Sequence, residues 1–259
     1  MQKEEEKRRA SLFFEGMTSI RAIFAGRADE KCGNDRKILR LYYAKEAEGR
    51  LAKELRWLSH RAEEEGFPIL ALSAEEIDAL AVGNTHGGLL AECTARTIPA
   101  LSTETPLPEC GFYALLEGIE DPYNFGYALR SLYATGVDGI ILPERNWMTA
   151  AGVVARSSAG ASELLPLYTA NAIAATDICK GRGYRVVCAD LRTEILLPDA
   201  DLKLPLLLIV GGEKRGISRA LLDKCDFAVK IPYARDFAAS LSAASAATML
   251  AYEIMRQNR

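Results

Sequence analysis

Histidine is nearly absent, with only His60 and His86, and the six cysteines (32, 93, 110, 179, 188 and 225) are scattered without a C-x-x-C pair. A zinc site needs clustered thiols and imidazoles, and a disulfide framework needs denser cysteine, so neither a metal nor a disulfide scaffold is expected. Reduced thiols and a cytoplasmic location are the expectation instead. Long apolar runs are missing too. The stretch Leu204 to Val210 is among the longest and falls far short of the ~20 residues of a membrane helix, so no membrane association is expected. The opening MQKEEEKRR carries mixed charge with no apolar segment behind it, and reads as a solvated start rather than a secretory leader. Two nucleotide motifs are also lacking. There is no G-x-G-x-x-G, and although Gly211 and Gly216 have the spacing of a phosphate loop, Ile217 stands where its lysine belongs.

What is present is a chain of 259 residues, 49% apolar and 26% charged, long enough for one large domain or two ordinary ones. The net charge is −3, yet residues 1 to 60 hold 14 Lys/Arg against 10 Asp/Glu. Within that excess of four, Arg27, Arg36 and Lys37 lie near Arg21, Lys31 and Arg40. Two readings stay open: a basic surface that meets nucleic-acid phosphates, or a solvated helix face like that of KEAEGRLAKELRW.

The stretch Arg96 to Gly111 holds three prolines and several Ser/Thr with no periodic apolar face, as a linker does. The expected domains are therefore residues 1–97, a linker at 98–110, and residues 111–259. In the first, ILRLYYA and PILAL read as strands, Glu46 to Glu65 as an amphipathic helix and AEEIDALA as a helix capped by Ser73. In the second, apolar strands (FYALLEGI, GIILP, LLPLY, YRVVCAD, PLLLIVG, FAVKIP) alternate with helices at Phe125–Ala134, Thr149–Ser158, Ala172–Lys180, from Ser218, and at Ser240–Gln257. That pattern predicts an α/β fold whose mainly parallel sheet has helices on both faces.

Ligands of such sheets bind beyond the carboxyl ends of the strands. Three loops there open helices: EDPYNFGYALRS, GGEKRGIS and IPYARDFAASLS. In the first, the amide of Asn124 and the guanidinium of Arg130 flank Gly126, and the planar fork of an arginine suits phosphate or carboxylate. An ordinary helix-surface arginine fits the same letters. Glycines in the second loop permit close approach of a ligand, or simply a strand-to-helix turn, and Glu213 would favour the positive end of the following helix. Asp190, ending YRVVCAD, reads as a turn residue.

Taken together the three loops resemble the motifs of the SpoU-type (TrmH family) RNA ribose 2'-O-methyltransferases of the SPOUT superfamily. Asn124, Gly126 and Arg130 match its N-x-G-x-x-x-R; Gly211, Glu213 and Gly216 match its G-x-E-x-x-G; Ile231, Pro232, Ser240 and Leu241 match its third motif. The departure is Ser242, where the family usually has asparagine. The turn His86, Gly87, Gly88 is similar to one in the family's small α/β, ribosomal-protein-like substrate-binding domain.

The resemblance implies a deep trefoil knot, a homodimer formed through the C-terminal domain, and S-adenosylmethionine as cofactor without a metal. It implies cofactor binding by Gly211, Gly212, Gly216, Ile231, Ser240 and Leu241, and catalytic roles for Arg130, Asn124, Glu213 and Ser242. RNA, ribosomal or transfer, would be the partner, held through residues such as Arg27, Arg36, Lys37 and His86. Ser242 keeps a rival in view, a knotted RNA-binding protein that has lost methyl transfer; a different nucleotide-dependent enzyme is disfavoured by the missing phosphate-loop lysine.

Overall fold

The computed structural model of the chain describes residues 12–144, 146–212 and 216–259. The charged start MQKEEEKRR and the candidate Glu213 lie outside the described residues. The chain forms two compact units, the first from residues 1–97 with 147–164 and the second from 98–146 with 165–259.

In the first unit, β1 (Phe13–Glu15), β2 (Ile38–Ala44), β3 (Ile69–Leu72) and β4 (Leu89–Cys93) form a sheet in the order β1-β4-β2-β3. β4 pairs antiparallel with β1 and β2, while β2 and β3 run parallel. Helices α1 (Gly16–Ala28), α2 (Ala52–Glu65) and α3 (Ala74–Leu80) accompany it. Ser73 caps α3 as expected, accepting from the Glu76 N–H at 3.2 Å while the Glu76 carboxylate accepts from the Ser73 N–H at 2.8 Å. Phe14, Ile20, Ile23, Leu41, Leu58, Ile77 and Leu90 make the core.

Residues 147–164 contribute α5 (Ala151–Ser157) and α6 (Ala161–Leu164) to this same unit, although they fall within the range 111–259 expected for the second domain. Two ion pairs hold them there. Arg36 Nε lies 2.8 Å from Glu163 Oε2 with the two side chains 1% and 0% exposed, and Arg156 reaches the buried Glu15 at 2.9 Å. Charges this deep are tolerated only when paired and hydrogen-bonded, and Asn34 and the Thr94 carbonyl complete the set. Arg36 is thus corrected: it is a buried structural group that cannot meet an RNA phosphate.

The second unit holds six parallel strands, β5 (Phe112–Glu117), β6 (Gly139–Leu142), β7 (Leu167–Thr169), β8 (Arg185–Ala189), β9 (Leu206–Gly211) and β10 (Phe227–Val229), in the order β10-β8-β9-β5-β6-β7. Tyr113, Leu115, Leu207 and Ile209 point into a core with Ala175 and Cys179. Their neighbours Ala114, Leu116, Leu208 and Val210 are equally buried, so the alternation of a strand leaves no wet face. Helices α4 (Pro122–Ala134), α7 (Ala172–Gly181), α8 (Arg219–Leu222) and α9 (Ala243–Gln257) complete the unit, and α4 packs along α9.

The proline-rich stretch is not a free spacer. Its Leu101 N–H donates to the Thr169 carbonyl at 2.8 Å and the Thr169 N–H to the Pro99 carbonyl at 2.9 Å, so it pairs with the outer edge of β7. No helix among the described residues is long and apolar enough to cross a membrane.

Candidate active site

Beyond the carboxyl ends of β8, β9 and β10, at the start of α9, lies a pocket of about 400 Å³. Gly211, Gly212, Gly216, Ile231, Ser240 and Leu241, drawn from two distant loops, all line it. Their glycines answer first to the chain itself. A Cβ on Gly211 would stand 2.7 Å from the Gly216 carbonyl carbon, and one on Gly212 only 1.7 Å from the carbonyl oxygen of Gly118. The loop also folds back on itself, the Gly216 N–H donating to the Gly212 carbonyl at 2.9 Å.

The walls suit a flat heterocycle attached to a sugar. Ile231 is 6% exposed, and among the described residues its main-chain N–H and C=O make no hydrogen bond. Main-chain groups beside apolar side chains can both read and sandwich such a ring. The Leu241 N–H is already used, donating to Tyr233 Oη at 3.2 Å. That bond pins the loop between β10 and α9, and Tyr233, a pocket residue, went unnoticed in the sequence although it directly follows the Ile-Pro strand end.

Asp190, read as a turn residue, also lines the pocket. Arg192 grips its two oxygens at 3.0 and 2.9 Å, and this hydrogen bonding holds the carboxyl below its ordinary range.

The catalytic candidates are placed differently. Helix α4 begins three residues before the expected Phe125, because Pro122 fits its first turn and Asp121 accepts the Asn124 N–H at 2.8 Å. Asn124 therefore sits in that first turn. Arg130 stands exposed two turns on and, among the described residues, its guanidinium makes no hydrogen bond or ion pair. Neither lines the pocket. The hydroxyls of Ser131, next to Arg130, and of Thr248 on α9 are 2.6 Å apart. Ser242 is the N-cap of α9, accepting from the Ser245 N–H at 3.2 Å, while the residues on either side of it, Leu241 and Ala243, line the pocket.

Of the residues assigned to RNA, Lys37 is exposed and Arg27 pairs with Glu65 at 2.6 Å. His86 fixes its own turn: Nδ1 accepts from the Gly88 N–H at 3.1 Å and Nε2 lies 2.9 Å from Asp78. Among the described residues no group of three or more His, Cys, Asp or Glu side chains is placed to hold a metal.

The six strands run parallel, and the pocket lies at their carboxyl edge between two strand-to-helix loops. Residues 111–252 match the SpoU rRNA Methylase family. YacO of Bacillus subtilis (strain 168), named for the TrmH family of tRNA/rRNA methyltransferases, is 31% identical over 233 residues, which covers 88% of this chain and 92% of YacO. The chain belongs to the SpoU rRNA Methylase family. An RNA 2'-O ribose methyltransferase shares its fold with a TM-score of 0.77 at 22% identity, over 98% of this chain and 95% of the other. An AdoMet-bound rRNA methyltransferase from Sinorhizobium meliloti does so with a TM-score of 0.78 at 20% identity, over 97% and 93%.

Proposed function

We propose that the protein transfers a methyl group from S-adenosylmethionine to a ribose 2'-hydroxyl of a structured ribosomal or transfer RNA. The observation that carries this reading is the pocket shared by Gly211, Gly216, Ile231 and Leu241, with the main chain of Ile231, unbonded among the described residues, in its wall. Adenine and ribose would be held by main chain near Gly211 and Ile231 and flanked by the Ile231 and Leu241 side chains. When bound, the cofactor supplies an electrophilic methyl group.

The chain's own part is to position a poor nucleophile. As the 2'-oxygen bonds to the methyl carbon, the carbon–sulfur bond breaks, S-adenosylhomocysteine departs with the electron pair and the hydroxyl proton passes to solvent water, so charge develops at that oxygen. Arg130 clamps the neighbouring phosphate and steadies that charge, a role that suits the planar fork of a guanidinium. Asn124 and Glu213 orient the nucleotide. Transfer needs no metal in this scheme, and unchanged turnover after chelator treatment is the expected result.

Because Arg130 is outside the pocket of its own chain, the reading includes a homodimer in which a second copy completes the site. Tyr127, Tyr252 and Met249, 48%, 55% and 43% exposed on α4 and α9, supply an apolar surface for it. The reading also includes a trefoil knot in the last part of the chain, supported by β9 lying between β5 and β8 and by the tight crossing at Gly118 and Gly212. Stretching the second unit by its ends should then leave a contour shorter than the full chain; a full-length contour would refute the knot.

Mapping 2'-O-methyl positions in total RNA from cells with and without the protein tests the activity. One ribose should lose its methyl group in the second sample. Identical maps, together with no transfer to that RNA in vitro, would overturn the reading.

A further inference from the structure

The loop between β10 and α9 supplies Tyr233, Ser240 and Leu241 to the pocket, but its most conspicuous side chain does not line it. Phe237 is 57% exposed, more than any other large apolar side chain among the described residues. Its ring centroid lies 6.1 Å from that of Tyr233 at an interplanar angle of 56°, so the ring leans on Tyr233 while more than half of the residue stays open to water. Tyr233 is itself tethered through the Leu241 N–H. The loop therefore holds an aromatic plane at the pocket rim on an anchored partner.

We infer that Phe237 is a stacking platform for an unpaired nucleobase of the RNA, at or next to the nucleotide whose ribose is methylated. This rests on the reading above only in taking RNA as the substrate. A ribose that reaches the pocket must pass its rim, and bases freed from a helix stack on aromatic side chains. Charge does not offer the same anchor: Arg235 and Asp236, both exposed, precede Phe237 and offset one another. Stacking accepts any base, so Phe237 contributes affinity and placement while sequence choice lies elsewhere.

The test uses the full-length protein with Phe237→Ala, Phe237→Leu and Phe237→Trp, and total RNA purified from cells lacking the protein as probe. Loss of one stacked base corresponds to about a 5- to 150-fold weakening. Phe237→Ala is expected to raise KM for RNA within that range, with the salt slope of RNA affinity and the affinity for S-adenosylmethionine unchanged. Phe237→Trp should stay near wild type and Phe237→Leu should resemble Phe237→Ala, since leucine keeps the apolar bulk but not the plane. Wild-type behaviour of Phe237→Leu or Phe237→Ala overturns the proposal. So does a change of oligomeric state in Phe237→Ala by light scattering, which would assign the ring to contact with a second copy. If RNA affinity depends on the aromatic ring while wild type forms no 2'-O-methyl group, the stacking role stands and the reading of the reaction fails.

Discussion

The α-carbon of Gly212 is so close to Gly118 that a Cβ there would stand 1.7 Å from the Gly118 carbonyl oxygen. No side-chain rotation relieves a clash between backbones, so Gly212→Ala must push β5 and β9 apart at their carboxyl ends. It should destabilise the protein by about 3 kcal/mol or more and weaken S-adenosylmethionine binding. Urea denaturation and calorimetry read the two effects, and a stable variant with normal binding would disprove this account of the glycine.

Removing one partner of the Arg36–Glu163 pair strands a buried charge. Arg36→Met should therefore lower stability by ~3–5 kcal/mol, and adding Glu163→Leu should restore much of it. RNA affinity of whatever remains folded should not change. A selective loss of RNA binding without loss of stability would return Arg36 to the role that its charge alone suggested.

Burial pushes the Tyr184 phenol up to about 12 and raises Tyr113 as well. Both are neutral in the folded state at a pH where the unfolded chain, with tyrosines near ~10, already ionises. Their contribution to stability is thus complete below pH ~10 and is lost as pH rises from there through about 12. Unfolding in that window should coincide with the rise of tyrosinate absorbance. Tyr184→Phe should make the decline shallower while losing about 1 kcal/mol at neutral pH, because its hydroxyl donates to the Pro108 carbonyl.

Arg130 and Ser242 separate chemistry from scaffolding. Arg130→Ala should slow turnover at least ~100-fold with cofactor affinity nearly unchanged, and Arg130→Lys should rescue poorly for want of the planar fork. Ser242→Ala removes the α9 cap and should cost ~1 kcal/mol of stability; Ser242→Asn, also a capping residue, should be tolerated in stability and turnover. Turnover lost in Ser242→Ala at full stability would instead make the hydroxyl part of the chemistry.

Charges placed on the outer face of α4 and α9 should leave the unit folded but single. Tyr127→Glu with Tyr252→Glu is expected to give a monomer by light scattering at micromolar concentration, with turnover lost and circular dichroism unchanged. A dimer that survives both changes would move the interface elsewhere.

The parallel sheet was legible because β5, β6 and β9 are short apolar runs between turn signals, a pattern that a strand buried on both faces must have. Helix α1 was not. Ile20, Ala22 and Ile23 are buried on it, but its first turn lacks a side-chain cap, and the charges around it drew attention instead. The pocket residues of the two loops were readable as motifs at strand ends. Arg36 was misread because charge in a sequence says nothing about depth, and its partner lies 127 residues away. Tyr233 escaped because its role depends on an N–H eight residues on, which only the folded loop brings to it.

Residues 147–164 close a unit whose other members end at residue 97, and this bears on synthesis as well as on structure. While the chain emerges from the ribosome, Arg36 and Glu15 lack their ion-pair partners until residues 156–163 follow, so the first unit stays incomplete after its four strands are made. An exchange of the N-terminal region between relatives meets the same condition. A graft cut after residue 97 separates Arg36 from Glu163, and only a transplant that carries both pieces keeps the pair whole.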